Sequence, residues 1–208
     1  MKKKIFVVAL AVCLLAVSIV GSSMAYFTDT EQYTNTFTIG NVAITLTAGG
    51  QTVDGQTLEL ADANVYPSNV LNKNVTITNT SANDAAYVGA IVTLQNVDGR
   101  LGLTADTVKT FLTGGLMSDS TNNATVEVVD DGNGTITIYV VANAAVVKGG
   151  TALIFENIAI PAAWNNEQMG AFANLKLDVK AYATQTAGMT DGALKALQAA
   201  FDAFDSLN

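Results

Sequence analysis

The sequence contains no histidine, and its only cysteine is Cys13. Zinc peptidases of the His-Glu-x-x-His type need two histidines, and a Ser-His-Asp triad needs one. A zinc site would therefore have to be built from carboxylates alone, which is a poor match to the nitrogen and sulfur ligands that zinc prefers. A single cysteine also excludes any disulfide within the chain. These two absences remove the common routes to hydrolytic catalysis, and we expect the protein not to be an enzyme and to have no cofactor.

Basic residues are also scarce, with 10 Lys and Arg against 18 Asp and Glu and a net charge of −8. Such an acidic balance argues against nucleic acid as a partner. The adjacent carboxylates Asp130 and Asp131 fall in a predicted turn, where Asp is favoured for hydrogen bonds to the local backbone. Counted from Asp131, Ile136 and Ala142 occupy the positions at which a calcium loop has Gly and Glu. No metal ligand is assigned, although a surface calcium ion held by loop carboxylates stays open as an alternative.

Only one long apolar run is present, from Ile5 to Val20. It follows three lysines and precedes the small residues of Ser23-x-Ala25, which is the pattern of a secretory signal peptide. As a helix it would extend about 24 Å, less than the ~30 Å hydrocarbon core of a bilayer. We expect cleavage between Ala25 and Tyr26, with the membrane involved only before cleavage. Removal of residues 1–25 leaves 183 residues, seven of them basic and 18 acidic, so the net charge becomes −11.

From Phe37 onward the apolar residues alternate with a period of two, which is typical of half-buried strands. The clearest hairpin joins Val126–Val129 to Thr135–Tyr139 through a turn that carries Asp-Gly and Asn-Gly signals. Residues 37–185 are therefore predicted to form one all-β domain, an antiparallel jelly-roll-like β-sandwich with one or two peripheral helices. The other predicted strands are Val42–Leu46, Thr57–Leu60, Val75–Ile77, Val88–Leu94, Leu153–Ile160 and Leu175–Ala183.

Two segments have helical spacing instead. Thr104–Leu112 begins with a Thr cap and ends before Gly114 and Gly115. Residues 186–208 carry an apolar stripe that predicts a C-terminal amphipathic helix. Packing of this helix on its own sandwich is the ordinary outcome, and binding to a partner is the alternative. The stripe consists of Leu194, Leu197, Phe201 and Phe204.

The junction Ala25-Tyr26-Phe27-Thr28-Asp29 is followed by Asn35-Thr36-Phe37-Thr38-Ile39-Gly40 and by the alternating strand Val42–Leu46. This series resembles the TasA/camelysin family, whose precursors are cut by the SipW type of signal peptidase. A weaker similarity continues to Gln185. The resemblance implies the same jelly-roll-like sandwich.

The resemblance further implies a secreted structural subunit of an extracellular filament, in a biofilm matrix or on the cell surface. Polymerisation would use residues 26–36 as an extended donor segment, beginning with Tyr26, Phe27, Thr28 and Asp29. The expected partners are copies of the same chain, an accessory matrix subunit, and the SipW-type peptidase during export. One alternative is that residues 26–36 pair within their own domain. Another is a camelysin-like cell-surface metallopeptidase or enzyme modulator, against which the lack of histidine argues.

Overall fold

Two antiparallel sheets form the body of the molecule. The structure, a computed structural model, describes residues 28–32, 35–37, 42–53, 65–82, 84–119 and 123–186, and for 28–37 the backbone only. The strands are β1 (Thr28–Gln32), β2 (Asn35–Phe37), β3 (Ile44–Ala48), β4 (Gln51–Thr52), β5 (Val70–Asn79), β6 (Ala86–Gln95), β7 (Leu112–Thr113), β8 (Ala124–Asp130), β9 (Thr135–Ala142), β10 (Thr151–Ala159) and β11 (Lys176–Gln185).

The six-stranded sheet has the order β2-β1-β11-β6-β9-β8, and the five-stranded sheet has the order β4-β3-β5-β10-β7. The chain passes from one sheet to the other between β5 and β6, and it does so repeatedly until β11. This crossing pattern is that of a jelly-roll-like sandwich. The predicted fold class is confirmed.

The core lies between the sheets and is filled by every second residue of the long strands. Along β6 the inward residues are almost fully buried, and the same alternation recurs along β11. Burial of so much Val, Ile and Leu surface stabilises the fold by roughly 25 cal/mol per Å² of apolar area. The inward residues of these two strands are Ala86, Val88, Ala90, Val92, Leu94, Leu177, Val179, Ala181 and Ala183.

The predicted hairpin is confirmed, with β8 and β9 each longer than expected. In its turn the Asp130 carboxylate accepts a hydrogen bond from the Gly132 backbone N–H at 2.9 Å. The Asp131 carboxylate accepts from the N–H groups of Asn133 (2.7 Å) and Thr135 (2.9 Å), which lowers the pKa of Asp131. The prediction that these aspartates bond to the local backbone is correct.

Strands β5 and β10 pair through two irregularities that cancel. Between Leu153 and Phe155, β10 has one residue more than the facing part of β5. Between Val75 and Asn72, β5 has one residue more than the facing part of β10. Asn74, at φ +43°, lies at this second irregularity. Because the first shift breaks strict alternation, Ile154 and Phe155 are both fully buried although they are adjacent.

Two short helices pack at one end of the sandwich. Helix α1 (Val108–Phe111) is shorter than the predicted Thr104–Leu112, because Thr104 and Thr107 hydrogen-bond to each other ahead of it. Helix α2 (Asn166–Phe172) was not predicted. Among the described residues, no helix is long and apolar enough to cross a bilayer. The predicted signal peptide, the strand Thr57–Leu60 and the helix within 186–208 lie outside the described residues, apart from Thr186.

Candidate functional site

The N-terminal strand β1 lies against the last strand, β11, in antiparallel register. Thr28 pairs with Thr184, and the pairing runs without a break to Gln32, opposite Lys180. On its other side, β11 pairs with β6 along its whole length. The N-terminal strand therefore covers half of one side of β11, which would otherwise be an open edge.

Strand β2 folds back on β1 and forms the margin of the six-stranded sheet. Thr30 pairs with Phe37, and Gln32 pairs with Asn35, so only residues 33 and 34 connect the two strands. The margin strand is three residues long, and short edge strands offer little backbone for unwanted pairing. The N-terminal segment is thus part of a hairpin, which the alternation in the sequence did not indicate.

Of the predicted site residues, Thr28 and Asp29 begin β1 and pair with Thr184 and Ala183. Ala25, Tyr26 and Phe27, which carry the expected cleavage site and the aromatic anchors, lie outside the described residues. The segment 26–36 was expected to be extended, and its described residues form β1 and most of β2, which pair within their own domain. Pairing within its own domain is the alternative to strand donation stated above.

A buried network fixes the chain where it leaves this hairpin and enters β3. The Ser81 hydroxyl accepts a hydrogen bond from the Ala43 N–H at 2.9 Å and donates to the Ala43 carbonyl at 3.3 Å. Asn79, which is 0 % exposed, accepts from the Ser81 N–H at 3.0 Å. The Asn79 amide donates to the carbonyl oxygens of Asp84 (3.0 Å) and Val146 (2.8 Å). Sequence reasoning missed these residues.

The same network determines whether one apparent N-glycosylation motif is accessible. Asn79-Thr80-Ser81 fits the tripeptide for N-linked glycosylation, as do tripeptides beginning at Asn74, Asn123 and Asn133. The side chain of Asn79 is fully buried, and its amide nitrogen is engaged in two hydrogen bonds. In the folded protein Asn79 is therefore a structural residue and not an acceptor of glycans.

Where the structure describes the chain, its charged side chains form little that resembles a catalytic centre. In the described ranges no three His, Cys, Asp or Glu residues come together as metal ligands. The Arg100 guanidinium donates to the Asp98 carboxylate at 2.6 and 3.0 Å on the surface. Mainly through the hydrogen bond from its side chain, Arg100 lowers the pKa of Asp98 from 3.8 to about 2. Asp98 also caps the 3-10 turn Gly99–Leu101, because its side chain accepts a hydrogen bond from the Arg100 N–H.

The N-terminal hairpin, β3 and the Asn79 network, apart from Val146, fall within one sequence match. The family model described as camelysin metallo-endopeptidase matches residues 1–102. Over these residues the chain is similar to the camelysin family, in agreement with the resemblance found in the sequence. The matched part ends at the 3-10 turn after β6, so it includes β1 and excludes β11, the strand with which β1 pairs. No curated protein and no solved structure matched the chain.

The family name denotes a metallo-endopeptidase, and the ligand set can be tested against this chain. Without histidine, and with Cys13 as the only cysteine, protein ligands for zinc are limited to carboxylates and other oxygen donors. The carboxylates at the β8–β9 turn already accept backbone hydrogen bonds. The residues described do not fit the nitrogen-rich zinc site of His-Glu-x-x-His peptidases.

Proposed function

We propose that this chain is a secreted structural subunit of an extracellular filament, joined by donation of its N-terminal strand. The observation that supports the proposal is the pairing of β1 with β11 over five residues. A strand from the N-terminal part of the chain thus pairs with the open side of a strand from the C-terminal part. The same five positions of β11 can equally be filled by β1 of another copy, because the backbone hydrogen bonds are identical in both cases.

Exchange of this kind leads naturally to an open polymer. The donor is the N-terminal hairpin and the acceptor is the side of β11, so each copy presents two different surfaces. Such head-to-tail contacts extend without limit unless the rotation closes a ring. Phe37 and Ile44 bound the linker between hairpin and sandwich, and seven Cα steps span at most about 25 Å. The acceptor sandwich must therefore lie directly beside the donor.

Cleavage after Ala25 would serve as the switch for assembly. While residues 1–25 hold the chain at the membrane, the segment that starts at Tyr26 has no free end. The SipW-type peptidase would release Tyr26 and Phe27, whose burial in the next copy stabilises by roughly 1.5–3 kcal/mol each before ordering costs. The expected location is the extracellular matrix or cell surface, and an accessory matrix subunit is a further expected partner. N-terminal sequencing of secreted material should begin at Tyr26.

Cysteine cross-linking distinguishes donation from self-pairing, because the chain beyond Cys13 has no thiol. One variant carries Gln32→Cys and a second carries Lys180→Cys, at positions that are register partners. Mixed under assembly conditions and oxidised, the two variants should form covalent dimers if β1 is donated between copies. Pairing of Gln32→Cys with Asp178→Cys, two positions further along β11, is the matched control and should link much less.

The absence of cross-links between copies would contradict strand donation. If the mixture forms no dimers in filaments, while a chain that carries both Gln32→Cys and Lys180→Cys links only to itself, strand donation is wrong.

We also propose that the chain is structural and not a peptidase. Cleavage of casein by the purified protein, stopped both by a chelator and by mutation of a carboxylate cluster, would overturn that assignment.

A further inference from the structure

A second apolar cluster lies outside the core, on the outer face of the six-stranded sheet. We call it the outer apolar cluster; it consists of Ile91 of β6, Val141 of β9 and Tyr182 of β11, with Tyr87 and Tyr139 packed against them. The first three are only 6 %, 1 % and 1 % exposed. Their side chains are as buried as those of the core, although they point away from it.

The position of the cluster follows from strand alternation. Tyr182 lies between Ala181 and Ala183, which both face the core at 0 % exposure. Ile91 and Val141 likewise each lie between two core residues. Successive side chains on a strand point to opposite faces, so all three belong to the outer face.

A glycine sits at the centre of the cluster. In the sheet register Tyr182 is opposite Gly89, and Gly89 is opposite Val141. The backbone of Gly89 is buried although the residue has no side chain to shield it from solvent. The sheet therefore carries no side chain between this tyrosine and this valine, so a large apolar side chain from another segment could approach the backbone closely there.

The neighbouring strands alone do not account for this burial. On the outer face of the five-stranded sheet, Thr76 and Thr78 of β5 remain half-buried, as is usual for a sheet face in contact with solvent. The described elements that pack on β6, β9 and β11 across the sandwich are β3, β10 and the turn Gly115–Ser118. These contribute to the core and lie on the opposite, inner side.

We propose that residues 187–208 cover the outer apolar cluster of their own chain. These 22 residues follow directly on β11, the strand that carries Tyr182. Thr184, the last residue but one of that strand, also points outward and is 1 % exposed. The burial of the outer face thus extends to the point where the chain leaves the sheet.

The segment has the length and the apolar residues that this cover requires. Residues 190–205 as a helix would extend about 24 Å, while the distance from β11 across β6 to β9 is about 10 Å. The predicted stripe of Leu194, Leu197, Phe201 and Phe204 matches a face that is itself apolar and aromatic. A phenylalanine of this stripe is the kind of side chain that would pack over Gly89.

Thiol protection tests the proposal directly. The full-length chain carries Cys13→Ser and a single new cysteine, Ile91→Cys, whose rate of maleimide labelling reports exposure of the cluster. A second reporter, Val70→Cys, is placed at a residue that is 61 % exposed. In the otherwise unchanged chain, Ile91→Cys should label at least tenfold more slowly than Val70→Cys.

Charge substitutions on the two faces of the predicted helix provide the comparison. Leu197→Asp with Phe201→Asp should raise the labelling rate of Ile91→Cys at least tenfold and leave that of Val70→Cys unchanged. The matched control, Ala199→Asp with Ala203→Asp, places the same charges on the opposite helix face and should leave both rates unchanged. Fluorescence of Trp164, buried elsewhere in the fold, checks that every variant remains folded.

Three results would overturn the proposal. The first is an unchanged labelling rate of Ile91→Cys in the Leu197→Asp, Phe201→Asp variant. The second is protection that appears only when residues 1–25 are retained, which would make the apolar N-terminal run the cover. The third is protection that vanishes on dilution together with a dimer seen by sedimentation, which would make the C-terminal segment of a second copy the cover. Protection that is independent of concentration supports the proposal.

Discussion

The buried amide of Asn79 connects three backbone segments that are distant in sequence. It bonds to Asp84, to Val146 and, through Ser81, to the residue that precedes β3. In the sequence this residue is visible only as part of an Asn-x-Ser tripeptide. Burial is decided by segments 5 and 67 positions away, so no local pattern could have indicated its role.

Replacement of Asn79 by alanine should therefore be costly. It leaves two carbonyl oxygens and one N–H without their partner, at roughly 1–3 kcal/mol for each group that stays buried and unpaired. The measurement is the free energy of unfolding in urea. Asn72→Ala, at an exposed position of the same strand, is the control and should change it by less than about 0.5 kcal/mol. Equal effects of the two changes would show that the network contributes nothing.

The Asp98–Arg100 pair makes a prediction about pH. Because the folded-state pKa of Asp98 is lowered to about 2, its stabilising effect is present above pH 4 and is lost as the pH falls towards 2. The pair is exposed, so the effect on stability is small. Carboxyl NMR titration of Arg100→Gln should show the pKa of Asp98 rising towards 3.8. The pKa of Asp131 should stay low in this variant, since backbone N–H groups lower it.

At the level of elements, strands with strict alternation were predicted well and helices poorly. The inward residues of β6, β9 and β11 are buried as their alternation predicts, and burial departs from it only on part of the outer face, as at Ile91, Val141 and Tyr182. Helix α2 was missed although its start carries a signal: Asn165 and Gln168 form a capping box. Phe172 then packs with Phe111 and Trp164 at centroid distances near 6 Å, contacts that no local pattern encodes.

The turn that follows β7 depends on a close backbone approach. Gly115 has φ +55°, and a Cβ built there would lie 2.3 Å from the Leu153 carbonyl oxygen of β10. Gly115→Ala should cost roughly 2–5 kcal/mol, because a left-handed conformation and overpacking both oppose it. Gly132→Ala in the β8–β9 turn is the control, with φ +70° and free space around it. It should cost only about 1–2 kcal/mol in the same unfolding measurement.

At the scale of the whole molecule, composition and alternation were enough to predict a two-sheet sandwich. They could not assign the N-terminal segment to a partner strand. The segment is polar after Phe27, and its pairing with β11 joins residues about 150 positions apart. Long-range pairing of this kind is decided by which edge remains open after the rest of the sheet has formed.

Deletion of residues 26–36 tests the importance of that edge. The core strands bury their own apolar face, so the shortened chain should stay folded by circular dichroism. It should form no filaments by electron microscopy or sedimentation, because every joint loses its added strand. The milder double change Tyr26→Ser, Phe27→Ser should weaken each joint by roughly 3–6 kcal/mol before compensation. Filaments of undiminished length from the deletion variant would refute strand donation by this segment.

The place of β11 in the sheet also has a consequence for the order of events during synthesis. β11 is the last described strand in the chain, yet it lies inside the six-stranded sheet between β1 and β6. If the chain is exported as we propose, it cannot complete this sheet until residue 185 has left the translocation channel. Folding dominated by such distant pairings is slow. We therefore expect the chain to remain unfolded while it crosses the membrane and to complete the six-stranded sheet only outside it.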